Sequence, residues 1–186
     1  MSARVELMVK KSIDPFLIFV QARQFMLADE HLRRPVGDHL VTKFSTPSIV
    51  SSAFAVELFL KCLRAMESTT VPTGHDLSML FKGLSNDARK SIEVRWDVFA
   101  ASMSKRFYMM ENFSGNTIPR DLPSALHKCK DAFTLMRYVY EDPKAPVFYV
   151  GDLSRILHDV AVAQRPEWAE SSGMTKLLEL PEIPVE

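Results

Sequence analysis

The feature that most constrains the fold is the segment 46–66, which is apolar almost all round when it is drawn as a helix. Thr46 is a favourable N-cap and Pro47 is favourable at the first helical position, so the pattern predicts a helix that runs to Met66. A helix that is apolar on every side has to be buried. We therefore expect this helix to be the centre of a bundle, with other helices packed around it.

The rest of the chain also has sequence patterns that are typical of helices. Apolar residues recur at spacings of three and four, alternation typical of strands is nearly absent, and there are only six glycines. These patterns predict an all-α domain. The other predicted helices span residues 13–33, 76–84, 86–110, 123–141 and 152–163. A loop is predicted over 111–121 and a proline-rich turn over 142–146.

Charge divides the 186 residues into two parts, a single domain over 1–165 and a tail over 166–186. The tail holds five Glu and one Lys, a net charge of −4, so residues 1–165 carry +4. A formal net charge of zero for the whole chain excludes a strongly basic nucleic-acid coat protein but allows a local basic patch. The tail is either partly ordered and solvated or docked on the bundle through its apolar residues.

The compartment is predicted from the absence of targeting signals. The N-terminal residues lack the apolar core of a signal peptide, and the longest apolar runs are far too short to span a bilayer. We expect a cytoplasmic protein that does not interact with membranes. Cys62 and Cys129 lie in apolar stretches and are expected to be buried thiols. Because no Cys/His cluster exists, we expect no metal and no cofactor.

A polar cluster is predicted around the central helix. Glu57 and Lys61 are four residues apart among apolar neighbours, so the pair should be partly buried. Buried charges need hydrogen-bonding partners. The candidate hydrogen-bonding partners are His75, Asp76, Arg137 and Tyr138. His75 and Asp76 stand where a helix begins, and they could also form a proton-transfer pair, although no matching nucleophile is present.

Two further sequence features bear on function. Lys105, Arg106 and Tyr108, next to Phe107, combine cations with aromatic rings. Such a combination can grip single-stranded RNA, although a solvated helix end would have the same composition. The usual hydrolase and nucleotide-binding loops are missing from the chain.

Three short motifs, taken in order, resemble those of a known family. They are Ser-Ala-Phe-Ala-Val-Glu-Leu-Phe-Leu-Lys at 52–61, Gly-His-Asp-Leu at 74–77, and Phe-Thr-Leu-Met-Arg-Tyr-Val-Tyr-Glu at 133–141. This pattern, over residues 12–142, resembles the HEPN superfamily (higher eukaryotes and prokaryotes nucleotide-binding domain). The resemblance implies an up-and-down helical bundle of four to five main helices with extra short helices, usually a homodimer. Many members are metal-independent ribonucleases that act as toxins or in phage defence.

The resemblance also implies a site. The family's ribonucleases carry an Arg and a His separated by four to six residues, pooled from two subunits. Arg120 and His127 fit that spacing, whereas Arg34 and His39 fit it at the wrong place in the fold. The implied roles are phosphate stabilisation by Arg120 and acid–base catalysis by His127 on the 2′-hydroxyl of RNA.

Three functional hypotheses remain open at the level of sequence. The first is a HEPN-like protein directed at RNA, either a metal-independent ribonuclease or an inactivated RNA binder. The second is a noncatalytic helical module that dimerises or binds a partner protein such as an antitoxin. The third is small-molecule binding in the bundle beside Glu57, Lys61 and His75.

Overall fold

The computed structural model describes residues 13–34, 45–68, 71–138 and 150–169. Over this part of the chain every regular element is helical, so the prediction of an all-α fold is confirmed. The helices are α1 (Pro15–Leu32), α2 (Ser45–Glu67), α3 (Leu77–Lys82), α4 (Asn86–Ser102), α5 (Ser104–Ser114), α6 (Leu122–Lys128), α7 (Ala132–Arg137) and α8 (Leu153–Gln164), followed by a 3₁₀ turn over Pro166–Trp168.

The centre of the fold is α2, as its composition predicts. It packs along α1 and also contacts α8, α7 and α3. Its core-facing side chains include Phe59, Leu60 and Leu63, each at most 1% exposed. A helix that is contacted by four others buries most of its surface, so the polar residues on its buried faces need partners from inside the bundle.

Short polar side chains cap the N-termini of several helices. Asp14 accepts a hydrogen bond from the Phe16 amide at 2.9 Å, and Pro15 follows it at the first helical position. Asp76, Ser85 and Asp121 accept bonds from amides in the first turns of α3, α4 and α6. These bonds satisfy amides that have no partner inside their helices. The predicted start of α2 at Pro47 is two residues late, because Ser45 is already helical and Thr46 is not the cap.

The single helix predicted over 86–110 is wrong. The chain breaks at Met103, and α5 then continues to Ser114, so the predicted loop over 111–121 begins only at Gly115. Beyond the break, Phe107 is buried and meets Phe99 edge-on at 6.4 Å. Gly115 ends α5 with a positive φ of 68°, which glycine adopts without steric cost.

The helix predicted over 123–141 is also interrupted. It forms two short helices, α6 and α7, with a turn at residues 129–131 between them. The turn leaves the Lys130 carbonyl outside any helix, and this oxygen accepts a hydrogen bond from the Leu77 amide at 3.1 Å. A tertiary bond has thus replaced a helical one. Residues 139–149, including the predicted proline-rich turn, lie outside the described residues.

The last described residues pack against α1. Trp168 lies 5.6 Å from the Phe16 ring and 5.0 Å from the Phe19 ring, so the chain after α8 folds back onto the bundle up to that point. Residues 170–186 of the predicted tail lie outside the described part. Among the described helices, none is long and apolar enough to cross a membrane.

A buried polar network joins α1, α2 and α8. Asp29 is 2% exposed and binds Arg33 at 2.6 Å, and the Ser48 hydroxyl also donates to it. Arg33 reaches across to Asp152 at 2.9 Å. Burial alone would lower the pKa of Arg33, but its bonds to Asp29 and Asp152 raise that pKa above its ordinary value. The Ser52 hydroxyl donates to the Gly151 carbonyl at 3.1 Å, which brings the start of α8 against α2.

Gly151 is the position where this network allows no side chain. A Cβ atom there would clash with the Arg33 guanidinium and lie 2.8 Å from the Ser52 hydroxyl. We expect Gly151→Ala to lower the free energy of unfolding by about 1–3 kcal/mol, because both groups are held by hydrogen bonds. Gly74→Ala is the matched control, since nothing lies within 4 Å of its added Cβ. Urea denaturation of both variants measures the difference, and equal stability would contradict the role given to Gly151.

Candidate functional site

Three of the predicted polar residues come together on α2 and the loop before α3. The Lys61 ammonium lies 2.8 Å from Oε1 of Glu57, and Nδ1 of His75 lies 2.9 Å from the same oxygen. The Glu57 side chain is 1% exposed, Lys61 is 12% exposed and His75 is 56% exposed. The site therefore runs from a buried carboxylate outward to an imidazole at the surface.

The second oxygen of Glu57 has no such partner. Oε2 is buried and accepts no hydrogen bond from the described residues. A buried acceptor without a bond costs about 1–3 kcal/mol. Such exceptions in a folded protein call for an explanation, for example a catalytic or ligand-binding role.

The other members of the predicted cluster lie beside it without joining it. Asp76 caps α3 by accepting from the Met79 amide at 2.9 Å. The Arg137 guanidinium stacks over the Phe133 ring at 4.6 Å and lies 5.4 Å from the Tyr138 ring, so it is held by aromatic rings. Phe133 in turn lies 6.0 Å from the His75 ring. Arg137 thus reaches the edge of the cluster from α7.

Arg120 and His127, the predicted catalytic pair, are not assembled within the chain. Arg120 binds Glu111 at 2.9 Å, donates to the Ile118 carbonyl at 2.9 Å and lies over the Phe107 ring at 5.0 Å. His127 is an exposed residue near the far end of α6, and no contact joins the two side chains. Arg120 serves to hold the loop between α5 and α6.

Glu111 is the partner that organises this loop. It accepts from the Ile118 amide at 2.8 Å, and this bond, with help from Arg120, holds the pKa of its carboxyl below the ordinary value. The Trp96 indole donates to the Arg120 carbonyl at 2.7 Å, which anchors the same loop to α4. A phosphate that approached Arg120 would have to compete with a carboxylate that is already in place.

The predicted RNA-binding residues occupy one turn of α5. Lys105, Arg106 and Tyr108 are exposed, and the Arg106 guanidinium lies 4.0 Å from Asp152. Phe107 is 2% exposed and belongs to the core, so it is unavailable for stacking against a base. Its burial fixes the rotation of α5 and directs the three neighbours to the surface.

The structure also contains a polar site that sequence patterns did not reveal. Asp29, Arg33, Gly151 and Asp152 line a small pocket of about 100 Å³ together with Glu30, Ser154 and Arg155. The pairing of Asp29 with Arg33 at a spacing of four was readable from sequence, but Asp152 lies 119 residues from Arg33, and nothing local links them. The pocket is too small for a drug-sized ligand.

Neither a metal site nor a disulfide is found in the described part of the chain. No group of three or more His, Cys, Asp or Glu side chains is placed to hold a metal ion there. Cys62 and Cys129 are both buried as thiols, which confirms that prediction. Burial, with a smaller contribution from the charge of Asp14, raises the pKa of the Cys62 thiol to about 12.

Comparison with known proteins does not identify a family. No protein-family model, no curated protein and no solved structure matches the chain. The resemblance to the HEPN superfamily therefore stays a prediction.

Because Glu57 and Lys61 are a largely buried ion pair, we expect replacement of Lys61 alone to destabilise the fold more than replacement of both residues. Lys61→Met should destabilise the fold by about 3 kcal/mol, because it removes a charge partner from a buried carboxylate. The double variant Glu57→Leu with Lys61→Met should be neutral or more stable than wild type by about 1–4 kcal/mol. Chemical denaturation measures both. Lys90→Met on the exposed face of α4 is the control. A double variant that is less stable than Lys61→Met alone would contradict this interpretation.

The buried Cys62 thiol should make the folded protein less stable at alkaline pH. Its ordinary pKa of 9.0 applies to the unfolded chain, whereas the folded thiol stays protonated up to about 12. Stability that is present below pH 9 is therefore lost as the pH rises toward 12. Between pH 8 and pH 10, the free energy of unfolding of wild type should fall by about 1 kcal/mol more than that of Cys62→Ala. If the free energies of unfolding of wild type and Cys62→Ala fall in parallel with pH, burial does not keep the Cys62 thiol protonated.

Proposed function

We propose that the chain is a HEPN-like, RNA-directed protein of the cytoplasm that binds single-stranded RNA and does not cleave it through Arg120 and His127. The observation that carries the proposal is the exposed turn of α5, where Lys105, Arg106 and Tyr108 surround the buried anchor Phe107. Cations with an adjacent exposed ring bind single strands, because the charges track phosphates and the ring stacks on bases. The motifs shared with the HEPN superfamily support the choice of RNA.

The binding form is favoured over the ribonuclease by the position of Arg120. Its guanidinium already pairs with Glu111 and donates to a backbone carbonyl. A catalytic arginine has to exchange its partners for the phosphate in the transition state, and here that exchange would release a carboxylate beside the substrate. His127 lies at the opposite end of α6. Both features support an inactivated member rather than a toxin or defence ribonuclease.

Salt dependence tests the binding surface on α5. Lys105→Gln with Arg106→Gln should weaken binding of a 12-nucleotide single-stranded RNA, because two phosphate contacts are lost. The slope of log K against log salt concentration should shrink by about 1.4, or about 0.7 for each contact. Lys82→Gln with Lys90→Gln is the control, since it removes the same charge from exposed positions on α3 and α4. Equal slopes for the two double variants would contradict the proposal.

Cleavage of a mixed RNA pool in EDTA tests the second half of the proposal. Neither wild type nor His127→Ala should degrade the pool, because the residues that would do so are not assembled. Degradation by wild type that disappears in His127→Ala would show that a second subunit completes the site, and the protein would then be a metal-independent ribonuclease. Degradation equal in both would show activity that does not depend on His127.

A second candidate is a noncatalytic module that forms homodimers or binds a partner protein such as an antitoxin. It is favoured by Val94 and Val98, which are 56% and 70% exposed and lie one turn apart on α4. Neighbouring apolar residues on one exposed face are typical of a contact surface. Sedimentation of wild type and Val98→Glu distinguishes this candidate, because a dimer built on this face would dissociate in the variant.

A further inference from the structure

The Glu57 cluster presents an oriented imidazole at the surface. Nδ1 of His75 bonds to Oε1 of Glu57 at 2.9 Å, while the side chain is 56% exposed. A carboxylate accepts hydrogen bonds, so it selects the form of the neutral ring in which Nδ1 carries the proton. The other ring nitrogen, Nε2, then has a lone pair and can accept a hydrogen bond from a ligand.

A stacked arginine lies beside this imidazole. Phe133 stacks on Phe54 at 4.7 Å, and the Arg137 guanidinium lies 4.6 Å from the Phe133 ring centre. Arg137 is exposed, and a guanidinium can bind a phosphate through two N–H groups at once. The exposed Tyr138 ring lies 5.4 Å from the same guanidinium.

These groups share one small surface. The Phe133 ring lies 6.0 Å from the His75 ring and 4.6 Å from the Arg137 guanidinium, so both polar groups flank a single aromatic ring. The bond from the Leu77 amide to the Lys130 carbonyl holds the His75 loop against the turn between α6 and α7. A hydrogen-bond acceptor, a guanidinium and an exposed ring thus lie around Phe133 and Arg137.

We propose that His75, Arg137 and Tyr138 form a second RNA-binding subsite, one that reads a ribonucleotide, on the side of the bundle where α3 and α7 contact α2. Arg137 binds a phosphate, the Tyr138 ring stacks on a base, and Nε2 of His75 accepts from the 2′-hydroxyl. The 2′-hydroxyl is the group that distinguishes RNA from DNA. This subsite rests on the proposed RNA-directed function, and it adds the discrimination that the cations of α5 cannot supply.

The free-energy cost of burying the Glu57 carboxylate supports a role for this residue in positioning His75 for binding. Glu57 is 1% exposed, and its Oε2 oxygen accepts no hydrogen bond from the described residues. Burying a charge with one oxygen unsatisfied opposes folding. What the arrangement achieves is the orientation of His75. Glu57 is therefore a positioning residue, and it touches no part of the RNA.

The test compares a 12-nucleotide RNA with the DNA of the same sequence by fluorescence anisotropy. Wild type should bind the RNA about tenfold more tightly, the effect of one hydrogen bond of about 1.4 kcal/mol. His75→Asn should lose that preference, because the amide can still donate to Glu57 but the distal acceptor is gone. Arg137→Lys should weaken binding of RNA and DNA alike, because the charge remains but the two-point contact with a phosphate is lost. Neither variant removes the Glu57–Lys61 pair, and thermal denaturation verifies that both are folded.

Matched controls are His31→Asn and Arg95→Lys, which change exposed residues on α1 and α4. The proposal is overturned if His75→Asn keeps the preference for RNA or if Arg137→Lys binds as tightly as its control. If wild type binds RNA and only the α5 double variant is weakened, the subsite fails and the proposed function stands. If wild type binds no RNA, both fail together.

Discussion

The structure depends on the burial of α2 on all sides. A helix of this composition can lower its free energy only by removing its whole surface from water, so the other helices have to surround it. α1 and α8 meet it on one part of its circumference and α3 and α7 on another. Polar residues on such a helix become internal groups whose partners must come from these neighbours. The α2 residues of two polar clusters, Ser48 and Ser52 beside Asp29 and Glu57 with Lys61, follow from this constraint.

The two clusters differ in how completely their hydrogen bonds are satisfied. Asp29 receives bonds from Arg33 and Ser48, and Arg33 connects it to Asp152, so this network fastens α1 and α8 to α2. Among the described residues, one oxygen of Glu57 has no hydrogen-bond partner. A complete network rigidifies a fold, whereas an incomplete one weakens it unless the group serves a binding site. The first cluster is structural, and the second is the one beside which we propose a ligand-binding subsite.

Much of the fold could be predicted from local signals, and the failures have physical causes. The boundaries of α1 and α8 follow from helical periodicity and from Asp14 and Pro15. The breaks within 86–110 and 123–141 could not be predicted, because periodicity continues through them. The burial of Phe107 and the bond from Leu77 to Lys130 decide where those helices end, and both are tertiary interactions. The Glu57–Lys61–His75 contact was predictable, because a charged pair on an apolar helix requires partners. The connection of Arg33 to Asp152 had no local signal.

RNA photocrosslinking tests the central claim, that the chain binds single-stranded RNA on defined surfaces, most directly. The protein would be irradiated with an RNA that carries 4-thiouridine, and the crosslinked peptides would be mapped by mass spectrometry. We expect crosslinks in the α5 peptide that contains Tyr108 and in the peptides that contain His75 and Tyr138, with fewer to a thiolated DNA of the same sequence. Crosslinks confined to α1 and α8, or none above those of a competitor-saturated sample, would contradict the claim.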